Sequence, residues 1–218
     1  MCLILAAWKL SSLPPLVVAA NRDEFHARPA AAAAFWEDRP AILAGRDLEA
    51  RGTWMGVSRS ARFAAVTNYR GAREPRAAES RGALVTRFLD NGQTPGEYIG
   101  SLAPKASSYS GFNLLVSDGE ELWWMSNRGG EPRRLAPGVY GLGNTLLDSP
   151  EVEPRKQRFA QAISSGVAAE PLFSVLKEAR IVDPVYGTRC STVFFARRYA
   201  ERSFSPDGVD QDTLHYEF

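Results

Sequence analysis

Apolar residues along this chain fall in short unbroken runs, not in alternation. Leu3–Trp8 and Leu16–Ala20 are the first two, joined through Ser11-Ser12-Leu13-Pro14. A strand with one wet face would alternate, so a continuous run predicts a strand covered on both faces. From 21 to 50 the pattern breaks up, with Pro29, Pro40 and Gly45 as punctuation. That stretch reads as irregular, the alanines at 30–34 included. Trp54–Ser58 and Arg62–Asn68 predict a second hairpin, around Arg59-Ser60. Phe112–Ser117 and Glu121–Ser126 flank Asp118-Gly119, a strong signal for a tight hairpin turn. Val139–Leu142, Ser191–Tyr199 and Thr213–Phe218 predict further strands.

Helix signals lie between these runs. Ser80 predicts the cap of a helix reaching about Asp90, where Asn91-Gly92 ends it. Thr94-Pro95 opens another, with proline at the first helical position. Ser149-Pro150 leads into a helix over roughly 150–164, and Glu170-Pro171 opens one that ends near Arg180. The order is strands, helices, strands, helices, strands. Doubly covered strands with two pairs of helices need two facing sheets with helices outside. The expected fold class is therefore α+β, a four-layer αββα sandwich, formed as a single domain over residues 1–218.

Composition narrows the chemistry. With 26 basic and 25 acidic side chains the net charge is +1, which gives no electrostatic case for nucleic acid. Two cysteines, Cys2 and Cys190, make neither a disulfide framework nor a zinc pattern. No basic residue precedes Leu3–Trp8, Lys9 interrupts it, and Pro14-Pro15 break the next stretch, so it does not read as a signal peptide. No run approaches the ~18 apolar residues of a membrane span. A reducing, cytoplasmic location is the expectation. His26 and His215 lack partners at metal-ligand spacing, so no metal is expected. Cys190 reads as a buried thiol.

The first hairpin carries the candidate chemistry. If Trp8 and Leu16 close its loop, paired positions place Ala6 opposite Val18, Ile4 opposite Ala20 and Cys2 opposite Arg22. A slip of two residues would put Cys2 beside Ala20 or Glu24 instead. In either case the cluster Asn21-Arg22-Asp23-Glu24 ends an apolar strand at the level where the chain starts. Methionine is usually trimmed ahead of a small residue, and Cys2 would then carry a free α-amine of pKa about 7.7–8.0. Such an amine serves as the base for the thiol on its own residue. Arg22, permanently charged, favours the thiolate by about one or two pK units when within reach. Asp23 would hold the amine or orient Arg22.

These residues belong to a larger set. Cys2, Ala20-Asn21-Arg22-Asp23-Glu24-Phe25, Arg28-Pro29, Gly52-Thr53-Trp54-Met55-Gly56, Thr67-Asn68-Tyr69-Arg70, Gly111-Phe112-Asn113-Leu114, Asn127-Arg128-Gly129-Gly130, Tyr140-Gly141-Leu142-Gly143-Asn144 and Tyr186-Gly187-Thr188-Arg189 occur in this order. The chain strongly resembles the NRDE family, also called the transport and Golgi organisation family, over nearly its whole length. The resemblance implies the N-terminal-nucleophile hydrolase fold of bile-salt hydrolases and penicillin V acylases, whose mature chains begin with cysteine. By motif it matches Cys2 to the nucleophile and Asn21–Glu24 to an arginine–aspartate segment of different spacing, with Arg22 and Asp23 as catalytic candidates. It matches Asn68 and Asn144 to asparagines that lend donors to the substrate or oxyanion. Asn21, Glu24, Tyr69, Arg70 and Arg189 are the expected substrate-binding residues.

The expected activity is hydrolysis of an amide or thioester of a small molecule after Met1 is removed. The alternative is a non-catalytic carrier of haem, an acyl-CoA ester or a lipid. No CxxCH motif is present, so haem would be held by Cys2, a histidine or an apolar groove. No other cofactor is expected. Gly52–Gly56 reads as tight backbone packing, and Arg70, Arg73, Arg76 and Arg81 as a solvated basic loop or a phosphate clamp.

Overall fold

The structure, a computed structural model, describes residues 2–71 and 79–218. Arg73 and Arg76 of the basic loop lie outside the described residues. In chain order the strands are β1 (Leu3–Trp8), β2 (Leu16–Phe25), β3 (Ala30–Trp36), β4 (Arg39–Asp47), β5 (Met55–Ser58), β6 (Phe63–Asn68), β7 (Phe112–Ser117), β8 (Leu122–Ser126), β9 (Arg133–Arg134), β10 (Gly138–Leu142), β11 (Tyr186–Phe195), β12 (Arg198–Phe204) and β13 (Asp210–Glu217). The α-helices are α1 (Gly82–Asp90), α2 (Pro95–Leu102), α3 (Glu153–Ile163) and α4 (Ala169–Lys177). No helix among the described residues is long and apolar enough to cross a membrane.

The chain forms two compact units. Unit one takes residues up to Arg28, Pro137–Gly143 and Leu147–Phe218. Its antiparallel sheet runs β10-β1-β2-β11-β12-β13. Leu3, Leu5 and Ala7 of β1, Val17 and Ala19 of β2, and Val193 and Phe195 of β11 pack with Phe159 and Ile163 of α3 and Leu172, Phe173 and Leu176 of α4. Each fully buried leucine or phenylalanine stabilises by about 1.5–3 kcal/mol. Ile4, Ala6 and Trp8, on the opposite face of β1, are buried as well. The unbroken apolar run thus corresponds to a strand covered on both sides.

Unit two takes Pro29–Ala136 and Asn144–Leu146. Its antiparallel sheet runs β3-β4-β5-β6-β7-β8-β9. Ala64, Val66, Leu114, Val116 and Met125 pack there against Leu84, Val85, Phe88 and Leu89 of α1 and Tyr98, Ile99 and Leu102 of α2. Helix α2 starts with a reciprocal cap, Glu97 N–H to Thr94 Oγ1 and Thr94 N–H to Glu97 Oε2. At the other helix, Ser80 Oγ accepts from Gly82 N–H, but Arg81 occupies the cap position of α1 with no side-chain cap. A Cβ on Gly52 would sit 2.6 Å from the Gly82 carbonyl carbon, so these two glycines let backbone touch backbone where α1 begins. That accounts for Gly52 in its motif.

Three sequence expectations are corrected. Residues 21–50 are not irregular: β2 continues to Phe25, and the alanines form edge strand β3, with Ala34 opposite Ala44. Polar residues can extend β2 because β11 pairs with it as far as Phe25. Alanine is a weak strand former, and its pairing partner decides its state here. Finally, the expected strand Ser191–Tyr199 is a hairpin of β11 and β12. It turns at Ala196 (φ 48°) and Arg197 (φ 63°), two left-handed residues without the asparagine, aspartate or glycine that usually advertises such a turn.

Candidate active site

Strands β1, β2 and β11 lie side by side at the start of unit one, and their pairing sets the site. Leu3 pairs with Asn21, Ile4 with Ala20 and Trp8 with Leu16, the register expected from the sequence. Cys2, one residue before β1, keeps that alignment. Its Sγ lies 3.5 Å from both the amide nitrogen and the carbonyl oxygen of Asp23. The residue is half-buried, and its thiol is pushed above the ordinary range by burial first and by the Asp23 carboxylate second. The Asp23 N–H and the Arg22 guanidinium act in the opposite direction.

On the other side of β2 the ladder with β11 contains a β-bulge. Asp23 pairs with Thr188 and Arg22 with Cys190, leaving Arg189 as the extra residue. Thr188 Oγ1 donates to Asp23 Oδ1 at 2.6 Å, and Tyr186 Oη donates to the Asp23 carbonyl at 3.3 Å. Asp23 is therefore fixed through both its side chain and its backbone, and it is buried. Gly187 sits between these donors because β11 passes close to its neighbours there. A Cβ would meet His26 Nε2 and Ile181 O, each at 2.9 Å.

Arg22 is also buried, with Nη2 3.9 Å from Glu24 Oε2, and Arg28 Nε reaches the same carboxylate oxygen at 3.9 Å. Arg189 directs Nη1 to backbone carbonyls, at 3.1 Å from Phe25 O and 3.0 Å from Arg28 O. It holds the loop after β2. Asn21 is turned to the helix side, where Nδ2 donates to Leu176 O at 2.9 Å and Oδ1 accepts from Ser191 Oγ at 2.6 Å. Cys190 is buried, and its thiol is raised well above the usual range by burial and by Glu201.

The other candidates lie in unit two. Asn68 ends β6 and is exposed, Tyr69 is half-buried and Arg70 is exposed. Asn144 Nδ2 donates to Asn68 O at 2.8 Å, and Arg70 N–H donates to Asn144 O. The structure thus brings Asn68, Arg70 and Asn144 together. The residue that fixes them was not among the expected site residues: buried Asn113 donates from Nδ2 to Thr145 O at 2.8 Å and to Thr67 Oγ1 at 3.2 Å. Arg81 bonds Gly111 O. Thr188 and Tyr186 were missed in the same way. All three occupy the quoted motifs, but none is an obvious nucleophile, base or charge.

Among the described residues no group of three or more His, Cys, Asp and Glu side chains could hold a metal ion. As a haem ligand His26 fits poorly, since its Nε2 lies 3.0 Å from Asp183 O. A cavity of about 370 Å³ in unit two is lined by Arg39, Arg87, Tyr98 and Tyr109 and contains none of the expected site residues.

The raised thiol has a measurable consequence. Alkylation follows the thiolate, so the rate at Cys2 should keep rising above the pH of about 8.5 where a free cysteine is half ionised. Asp23→Asn removes a charge that disfavours the thiolate. It should shift the midpoint downward, read by iodoacetamide labelling against pH with mass detection at Cys2. An unshifted midpoint would show that Asp23 does not govern the sulfur.

Residues 1–185 match the family profile described as Transport and Golgi organisation 2. The Bos taurus Transport and Golgi organization protein 2 homolog is 35% identical over 93% of this chain and 92% of its own length. The chain belongs to the Transport and Golgi organisation 2 family. The Homo sapiens homolog is 33% identical over 93% of this chain and 90% of its own. The Drosophila melanogaster protein is 32% identical over 69% of this chain and 59% of its own.

Solved structures similar to this family member are hydrolases of the expected fold. Penicillin V acylase from Agrobacterium tumefaciens matches with a TM-score of 0.55 at 14% identity, over 99% of this chain and 86% of its own. A variant of the conjugated bile acid hydrolase from Clostridium perfringens matches with a TM-score of 0.59 at 9% identity, over 100% and 97%. The Caenorhabditis elegans ortholog of N-acylethanolamine-hydrolyzing acid amidase gives 0.56 at 13% identity, over 89% and 92%. At these identities the likeness shows the fold alone, the αββα sandwich of the N-terminal-nucleophile hydrolases.

Proposed function

We propose that the protein is a cysteine N-terminal-nucleophile hydrolase of amides or thioesters, acting in a mature chain whose first residue is Cys2. The observation that carries this reading is the Cys2 sulfur against the Asp23 backbone, beside buried Arg22 on the paired strand. The fold and the hydrolase names of its structural neighbours support it.

The chemistry rests on the thiol's environment. While Met1 is attached, Cys2 has no amine, and its raised thiol stays protonated at neutral pH. Removing Met1 leaves an ammonium on the same residue, and that nearby positive charge favours the thiolate. In its neutral form the amine takes the thiol proton as sulfur attacks the carbonyl carbon. The tetrahedral intermediate then collapses, the C–N or C–S bond breaks, and the ammonium returns its proton to the leaving nitrogen or sulfur. Water, deprotonated by the amine, hydrolyses the acyl-thioester on Cys2. Arg22 and Asp23 fix the charge and geometry around the sulfur. The oxyanion role of Asn68 and Asn144 enters the proposal on the family resemblance alone, as does a substrate-binding role for Asn21, Glu24, Tyr69, Arg70 and Arg189.

A second reading is a non-catalytic carrier of haem, an acyl-CoA ester or a lipid, favoured by the protonated thiol and by relatives named for transport and Golgi organisation. The test is acid quenching of the processed protein with a broad panel of amides and thioesters, followed by peptide mass mapping. The hydrolase reading expects an acyl adduct on the Cys2 peptide from at least one substrate. No adduct from any, with ligand binding undiminished in Cys2→Ala, would establish the carrier instead.

A further inference from the structure

Unit one contains a second polar cavity, away from Cys2, between α4 and strands β11 to β13. Its volume is about 220 Å³, below the roughly 300 Å³ at which drug-sized pockets begin, so it suits a compact group. Lys177, Arg180 and Arg202 line it together with Glu170 and Asp210, an excess of one positive charge. Both guanidiniums lie over aromatic rings, Arg180 at 4.1 Å from the Phe204 centroid and Arg202 at 4.3 Å from that of Phe173. A ring beneath a guanidinium fixes its plane and leaves the N–H edge to face an acceptor.

Arg202 bonds Glu170 Oε1 at 2.6 Å and Thr213 Oγ1 at 3.0 Å, so a bound anion exchanges these protein acceptors for its own oxygens. Arg180 bonds Asp210 Oδ1 at 2.7 Å and Gly208 O at 3.1 Å through its terminal nitrogens, while its Nε is buried out of reach of the cavity. The exposed Lys177 ammonium makes no ion pair within 4 Å among the described residues and acts on the Asp210 carboxylate only at longer range. The two competing carboxylates lie toward solvent: the Glu170 side chain is 71% exposed and that of Asp210 48%. The arginines themselves are mostly buried, and Arg180 holds the Asp210 carboxyl below its usual range, so Glu170 is the acid that a phosphate displaces first.

We propose that this cavity binds a phosphate group, either as the free ion or at the end of a phosphomonoester. Phosphate oxygens meet the guanidinium edges and the Lys177 ammonium through charge-assisted hydrogen bonds. The cavity also touches β11, the strand paired with the cluster beside Cys2: Ser191, in its wall, donates to Asn21 Oδ1. The site stands whether or not Cys2 turns over a substrate.

The test is calorimetric titration of the full chain with inorganic phosphate and, separately, glycerol 3-phosphate, at ionic strength held constant with sodium chloride. Saturable binding at one site is expected, weakened about tenfold in Lys177→Gln and at least as much in Arg180→Gln. Lys177 is exposed, so its replacement leaves the fold intact, and Lys105→Gln in unit two serves as a control with unchanged binding. Binding of the free ion alone identifies phosphate itself as the ligand, and binding of both identifies a monoester-accepting site. No saturable binding of either probe, or equal affinity in wild type and Lys177→Gln, overturns the proposal.

Discussion

Replacing Cys2 with alanine is expected to lower kcat/KM at least about 10⁴-fold on whichever amide or thioester acylates the wild type. Loss of the nucleophile in enzymes that form acyl intermediates costs on this order, because only binding and oxyanion stabilisation survive. The substitution removes one sulfur atom from a half-buried residue, and with it two long hydrogen bonds to the Asp23 backbone. Stability should therefore change little, and a thermal melt close to wild type would show that the loss is chemical. Turnover retained in Cys2→Ala would assign the activity to another residue, and Cys190 is too buried to be a ready substitute.

The second large effect separates the sulfur from its base. Inserting one residue between Met1 and Cys2 keeps the thiol but moves the chain terminus off it. General-base catalysis contributes about 10²–10⁴-fold, so kcat should fall by that factor with a smaller change in KM. Iodoacetamide should still label Cys2 at alkaline pH, which shows that the thiol is present and reachable. A variant as active as the processed protein would mean that the amine is not the base and that another group takes the thiol proton.

What the sequence disclosed of this protein, and what it hid, divides along physical lines. Unbroken apolar runs announced β1 and the start of β2 as strands buried on both faces, since only two covering layers tolerate them. The pairing of Leu3 with Asn21 came from simple hairpin arithmetic, and it brought Cys2 to the charged cluster. The continuation of β2 to Phe25 stayed hidden because its partner, Tyr186–Phe195, lies more than 160 residues away. Local propensity carries no record of such a neighbour. The bulge at Arg189 was hidden for the same reason, and with it the task of Thr188, whose hydroxyl fixes Asp23. Asn113 shows the complementary case: a motif residue fully buried in a strand, whose amide ties down the Asn144 segment. Chemistry-bearing residue types drew attention to Cys2, Arg22 and Asp23, while the residues that hold them look ordinary until the ladders are drawn.

Everything proposed for the reaction turns on a terminal amine and a thiol belonging to one residue. Intact-mass measurement of the protein isolated from its native source addresses that directly. The expected result is a chain lighter by one methionine residue, beginning at Cys2 with an unmodified amine. A mass that retains Met1, or a blocked Cys2 terminus, would contradict it.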